Sequence, residues 1–374
     1  MRPVSVHPAS TGDPAHPDLD LAAMEEEARR VVGEMAYAYF AGAAEEEFLL
    51  AENRAAWSRR RLHPRILVDV AQVSPATRLL GAAVRSPVVV APTAVHDLAH
   101  PDGELATARG AATAGALLVL SSLATRSLED VAAAADEAGG GPRWMQVYVL
   151  RDRGRTAELA VRAAAAGYGA LVLTVDAPVP GLRRRERERD VRLPDGLHLP
   201  NLSDGSAHEA RQGGFMAAVS RQFDRSLTFD DIGWLAGLCG LPVVVKGVLR
   251  ADDAARCVDA GAAGVIVSNH GARQLDDAPA TADVLAGVVD AVAGRGEVYV
   301  DGGIRRAGDA AKALALGAGA VLVGRPVLWA LATGGAEGVA GLLAWMEAEL
   351  GRVMALCGAP TVADLDRSLV EPGP

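Results

Sequence analysis

Lysine is almost missing from this chain. Of its 37 basic residues only Lys246 and Lys312 are lysines, and the rest are arginines. Acids outnumber bases, 47 to 37, so the net charge of −10 gives a nucleic-acid role no electrostatic support. Cysteine is scarce as well. Cys239, Cys257 and Cys357 are odd in number and have no metal-ligand spacing, which excludes a disulfide framework and points to a reducing cytoplasm. No uninterrupted apolar run reaches the length of a membrane span, so no membrane association is expected. The N-terminus, with Asp13, Asp18 and Asp20 among Pro and His, lacks a basic-then-apolar signal pattern, and residues 1–20 are expected to be disordered.

What is present is a set of short apolar runs separated by Ala-rich, helix-like stretches. The runs are Val88–Val90, Leu117–Leu120, Trp144–Val149, Leu171–Val175, Val243–Val245, Val265–Val267, Val298–Val300 and Val321–Val323. Such alternation predicts a parallel α/β sheet. Eight strands are the number that closes a (β/α)8 TIM barrel, here with an N-terminal helical extension and a long loop after strand four. A doubly wound open sheet is the alternative. Residues 21–370 then form one domain, with a lid-like loop at about 195–226 whose centre, Asp204–Phe223, is Gly-rich and polar.

In a barrel, chemistry belongs at the C-terminal ends of the strands. Those ends carry Thr93, Ser121, Gln146 with Tyr148, Thr174 with Asp176, Lys246, His270, Asp301 with Gly302, and Gly324 with Arg325. Packing alone does not require so many polar ends. His270 and Arg273 sit three residues apart after strand six. A base that titrates near neutrality beside a guanidinium suits proton abstraction from an anionic substrate. Without context, a strand-end His that caps backbone beside a surface Arg is the commoner meaning of that spacing. Lys246 ends the strand Val243–Val245 and needs a partner for its charge, whereas Lys312 reads as part of a solvated helix face. The glycine turns Asp301-Gly302-Gly303-Ile304-Arg305 and Gly324-Arg325, after strands seven and eight, read as a phosphate site.

Several motifs together resemble the FMN-dependent 2-hydroxy acid oxidase/dehydrogenase family, the glycolate oxidase, lactate oxidase and mandelate dehydrogenase type. They are Tyr37-Ala-Tyr-Phe40, Ala91-Pro-Thr-Ala94, His100-Pro-Asp-Gly-Glu104, Leu120-Ser-Ser122, Gln146-Val-Tyr148, Leu173-Thr-Val-Asp176, Val245-Lys-Gly247, Ser268-Asn-His-Gly271, Asp301-Gly-Gly303 and Gly324-Arg-Pro326. The resemblance runs from about Leu21 to about Leu369 and implies the same barrel. It implies that His270 is the base, oriented by Asp176, and that Arg273 and Tyr39 clamp the substrate carboxylate. It assigns Tyr148 to the substrate oxygen and Lys246 to the flavin locus where negative charge develops on reduction. It places Pro92, Thr93, Ala94, Ser121, Gln146, Thr174 and Ser268 around the flavin ring and ribityl chain. Asp301, Gly302, Gly303, Arg305, Gly324 and Arg325 take the ribityl–phosphate end. No metal is implied, and the implied assembly is a homotetramer or homo-octamer.

One segment departs from the family pattern Gly-x-Arg-Glu-Arg-Asp. Here the chain reads Gly181-Leu-Arg-Arg-Arg-Glu-Arg-Glu-Arg-Asp190. A gap-free count picks Arg183 as the second carboxylate clamp, and a four-residue shift picks Arg187; the flanking spacing favours Arg183. Mixed charge runs are also commonly solvated loops. Leu123 stands where glycolate oxidase carries tryptophan, which implies a pocket for a medium aliphatic or aromatic, mandelate-like (S)-2-hydroxy acid. The polar loop and short N-terminus favour O2 as electron acceptor over a dehydrogenase with another acceptor. A phosphate-binding barrel isomerase and a catalytically silent barrel are the readings from other classes.

Overall fold

A computed structural model describes residues 19–189, 191–192, 194, 196–202 and 219–371. Much of the expected disordered terminus and residues 203–218 of the lid-like loop lie outside the described residues.

Every expected run forms a strand. They are β1 (Val88–Val90), β2 (Leu118–Leu120), β3 (Arg143–Val147), β4 (Leu171–Thr174), β5 (Val243–Val248), β6 (Gly264–Val267), β7 (Glu297–Val300) and β8 (Ala320–Val323). Each is parallel to its sequence neighbours, and β8 pairs with β1 through Val321–Val88, Leu322–Val89 and Val323–Val90. The sheet is therefore a closed barrel, and the open-sheet alternative falls.

Side-chain alternation along each strand divides the apolar residues between two cores. Val89, Val119, Trp144, Val172, Val244, Ile266, Tyr299 and Leu322 point inward and fill the barrel. Leu79 and Val84, from the antiparallel hairpin Thr77–Leu79/Ala82–Val84, join that inner cluster. The alternate residues, such as Val88, Val90, Val265 and Val267, pack outward against the helices. Those helices begin at ordinary caps. The Ser127 side chain accepts from the Asp130 N–H at the start of Leu128–Glu137, and Asp152 does the same for Gly154 before Arg153–Ala165.

Two sequence expectations need correction. Lys312 is not on a solvated face: it is 7% exposed and its ammonium donates to the Trp57 carbonyl at 2.8 Å. The helical segment Arg325–Leu356, which kinks at Gly335, is by length and composition apolar enough to cross a membrane, with a window of mean hydropathy 1.4. Reading uninterrupted runs missed it, because Gly and Thr residues dilute the apolar ones. In the fold, 56% of that window is buried, and the helix packs on Leu21–Ala41 and Gly103–Thr113.

Candidate active site

The C-terminal mouth of the barrel holds a pocket that is open to solvent on one side. It is lined by Tyr39, Pro92, Thr93, Ala94, Ser121, Leu123, Gln146, Tyr148, Thr174, Arg183, Lys246, His270, Arg273, Asp301, Gly302, Gly303, Arg305, Gly324 and Arg325. Nearly every sequence-picked residue thus comes to one place. Ser268 and Asp176 do not line the wall and work from behind it. Arg187 is also absent from the wall; its N–H bonds to the Arg183 carbonyl within the short helix Arg184–Glu188.

His270 sits on a strained stretch. His270 and Ala272 both have left-handed backbone, with φ of 59° and 65°. Ser268 supports this turn by accepting from the His270 N–H at 3.1 Å. The imidazole Nδ1 lies 2.8 Å from Asp176 Oδ1. An ionised Asp176 requires the proton on Nδ1, which leaves Nε2 as a free base toward the cavity. Burial lowers the His270 pKa more than the Asp176 charge raises it, with Lys246 and Arg183 adding to the drop. The resting base is therefore neutral. Burial works to raise the Asp176 carboxyl, but the imidazole and the Lys246 ammonium outweigh it and hold the group below its ordinary value.

Asp176 reaches its place because residue 247 has no side chain. Gly247 has φ of 108°, and a Cβ there would lie 2.5 Å from the Asp176 Cβ. The same glycine lies in a register shift of the β5–β6 ladder between Lys246 and Val248. Lys246 is 4% exposed; its Nζ donates to Ser268 Oγ at 2.9 Å and lies 3.4 Å from Asp301 Oδ2. Burial opposes the ammonium, but the Asp301 and Asp176 charges raise its pKa overall.

Another part of the wall carries Arg183, Arg273, Tyr39 and Tyr148. Arg273 Nη1 donates to the carbonyls of Tyr39 and Gly42, both at 2.7 Å. Burial raises the Tyr39 phenol to about 12 and the Tyr148 phenol further still, so both stay neutral hydroxyl donors. Phe223 stacks on Tyr148 with ring centroids 4.3 Å apart and planes at 17°.

Sequence reading missed three supporting groups. Asn53 and Asn269 exchange side-chain hydrogen bonds of 2.9 and 2.8 Å, locking the Leu21–Arg59 region to the His270 loop. His96 lies 2.6 Å from Thr93 Oγ1 and 2.9 Å from Thr107 Oγ1, which fixes a wall residue. Glu186 bonds both Arg183 and Arg273. Only Glu186 had a legible signal, an Arg–Glu spacing of three residues on a potential helix.

The far end of the cavity is cationic. Arg325 donates to the carbonyls of Phe40, Gly271 and Gly42 at 3.0, 3.0 and 2.8 Å, and Arg305 to that of Ile304 at 2.8 Å. Among the described residues, neither guanidinium has a carboxylate within salt-bridge distance. Burial lowers their pKa values to about 9 and about 10. In the same pocket, the buried Asp301 Oδ1 has no hydrogen-bond partner. Gly303 has φ of 83°, and a Cβ there would meet the Asn53 carbonyl oxygen at 2.3 Å. Unneutralised cations, an orphan acceptor and a bare backbone turn fit a phosphate followed by a hydroxylated chain. FMN has those parts. Arg305, Arg325 and the Gly303 and Gly324 turns would hold its phosphate, Asp301 its ribityl hydroxyls, and Thr93, Ser121, Gln146, Thr174 and Lys246 its ring.

Fold and site together define a class, a barrel with a histidine and two arginines at its mouth beside a cradle that fits a phosphate-bearing cofactor. The family model for FMN-dependent dehydrogenase matches residues 28–372. L-lactate oxidase of Nostoc sp. is 48% identical over 356 residues, covering 94% of this chain and 98% of that protein. Glycolate oxidase of Spinacia oleracea is 45% identical over 344 residues, 91% of this chain and 92% of that protein. The crystal structure of mandelate oxidase with (S)-4-hydroxymandelic acid is similar with a TM-score of 0.89 and 42% identity, over 94% of this chain and 99% of that one. The chain belongs to the FMN-dependent 2-hydroxy acid oxidase family. It is thus an enzyme with FMN as its cofactor, and the isomerase and silent-barrel readings are set aside.

Proposed function

We propose that this enzyme oxidises a medium aliphatic or aromatic (S)-2-hydroxy monocarboxylic acid to the 2-oxo acid and delivers the electrons to O2, giving H2O2. The observation that carries the reading is His270, held at Nδ1 by Asp176 and lining a cavity that also holds two arginines. Arg183 and Arg273 bind the substrate carboxylate and orient the carbinol carbon. Tyr148 hydrogen-bonds the 2-hydroxyl oxygen. His270 accepts a proton as the acid loses two electrons, and Asp176 stabilises the imidazolium that results. FMN, when bound, would take up the two electrons and the acid's second hydrogen. Lys246 provides positive charge at the locus where negative charge builds.

Leu123 supports the larger substrates. It is 2% exposed and lines the cavity, and a leucine leaves more room there than a tryptophan would. The oxidase names of the relatives support O2 as acceptor. Three free thiols, two of them buried, support a reducing compartment such as the cytoplasm, and the homo-oligomer rests on family resemblance. Cell fractionation and sedimentation test those two points.

The functional test is anaerobic addition of glycolate, lactate, 2-hydroxyoctanoate and mandelate to the FMN-loaded protein, followed by admission of O2. Flavin bleaching fastest with the larger acids, then reoxidation with stoichiometric H2O2, is expected. Absence of bleaching by every acid overturns the reading, and reoxidation only by an added dye overturns the O2 assignment.

A further inference from the structure

Glu186 occupies an unusual position relative to the two arginines. Its Oε1 lies 2.8 Å from Arg273 Nη2 and 3.2 Å from Arg183 Nη1. All three side chains are well buried, at 15%, 5% and 12% exposure for Arg273, Arg183 and Glu186. Both arginines line the cavity, whereas Glu186 is not part of its wall. The carboxylate therefore sits behind the arginines and leaves their cavity-side edges to a ligand. Arg273 is further fixed by the Tyr39 and Gly42 carbonyls, and Arg183 Nε donates to the Arg273 carbonyl at 3.3 Å.

We infer that Glu186 is a positioning residue that sets the charge of the acid this site accepts. This rests on the reading of Arg183 and Arg273 as the substrate-carboxylate clamp. Within this clamp, two guanidiniums and one carboxylate leave a single net positive charge, apart from the cations at the far end of the cavity. A monoanionic hydroxy acid neutralises that charge. A dianion leaves a buried negative charge uncompensated, which is costly at low dielectric. Without Glu186, the paired arginines would carry two net charges and would favour a dianion. Glu186 thus selects monocarboxylic over dicarboxylic acids without touching either. Its backbone supports the role: it lies on the short helix Arg184–Glu188, three residues after Arg183, so one turn places the counter-charge beside the clamp.

The test compares oxalate with oxamate, a dianion and a monoanion of nearly the same shape, as perturbants of the flavin spectrum in the FMN-loaded protein. Glu186→Gln keeps an oxygen for both guanidiniums and removes the charge. The ratio of oxalate to oxamate affinity is expected to rise on the order of tenfold in this variant. An unchanged ratio, or equal weakening of both ligands, shows that Glu186 only holds the arginines in place and overturns the inference. If Glu186→Gln does not retain FMN, Glu186→Asp decides. Drawing the charge back by one methylene should raise the ratio by a smaller factor, and no rise overturns it. Failure of every 2-hydroxy acid to bleach the wild-type flavin is a separate outcome, which removes the functional reading on which the clamp rests.

Discussion

Replacing Asp176 by Asn separates two effects that usually travel together. In the wild type the carboxylate lies 2.8 Å from His270 Nδ1, and its charge opposes the larger downward pull of burial on the imidazole pKa. Asn keeps a similar shape and an acceptor oxygen but no charge. The pKa of His270 should therefore fall further. His270 acts as a base only above its pKa, so the acid limb of flavin reduction should move to lower pH in the variant. At the same time the imidazolium formed on proton abstraction loses a charge-assisted hydrogen bond. Such bonds are worth about 1.5–3 kcal/mol, so the plateau rate should drop ~10- to 100-fold. Stopped-flow loss of flavin absorbance under anaerobic conditions, measured across pH, reads both. A plateau unchanged from wild type, or an acid limb displaced upward, would refute the assignment of Asp176 as the carboxylate that serves His270.

Three other outcomes follow from the same geometry. Lys246→Met should weaken sulfite binding to the flavin on the order of a hundredfold, because the anionic adduct loses its buried counter-charge; titration by visible absorbance checks this, and unchanged affinity removes Lys246 from that locus. Gly303→Ala should lower FMN retention and thermal stability, since the added Cβ would lie 2.3 Å from the Asn53 carbonyl oxygen; strain of this kind costs about 1–3 kcal/mol, and flavin content after gel filtration is the readout. Leu123→Trp should reverse the kcat/KM order toward glycolate and lactate, each lost methylene of room being worth about 1–3 kcal/mol; the same ranking in both proteins would show that Leu123 sets nothing.

The barrel was legible because its signal is local. Each strand is a compact apolar run, and a polar residue at its C-terminal end already stands where the cavity forms, as with Thr174, Lys246 and His270. The flanking spacing that favours Arg183 over Arg187 agrees with the placement of Arg183 on the cavity wall. What could not be read was pairing across long sequence distance. The partner of Lys312 is a backbone carbonyl at Trp57, 255 residues away, and no side-chain pattern announces it. The Asn53–Asn269 exchange is equally remote, at 216 residues. Glu186 had a legible spacing from Arg183, but the composition around it masked that signal. A run of alternating Arg and Glu has the composition of a solvated loop, and only the fold shows that its first arginine and the glutamate turn inward together.

The backward-bent turn that carries His270 sets stability and turnover against each other. His270 and Ala272 hold φ values of 59° and 65°, a conformation that histidine visits more readily than alanine and that glycine adopts most readily of all. Ala272 is fully buried, packed with Ala43 and Leu49 beneath the turn, so the strain is locked in when the chain folds rather than when substrate arrives. A library ranked only by melting temperature should accordingly drift toward glycine at position 272, two residues from His270. A library ranked by turnover should keep alanine there and recover stability elsewhere. Heat-hardening this enzyme without silencing it therefore means leaving residues 268–273 untouched and searching the outer faces of the helices.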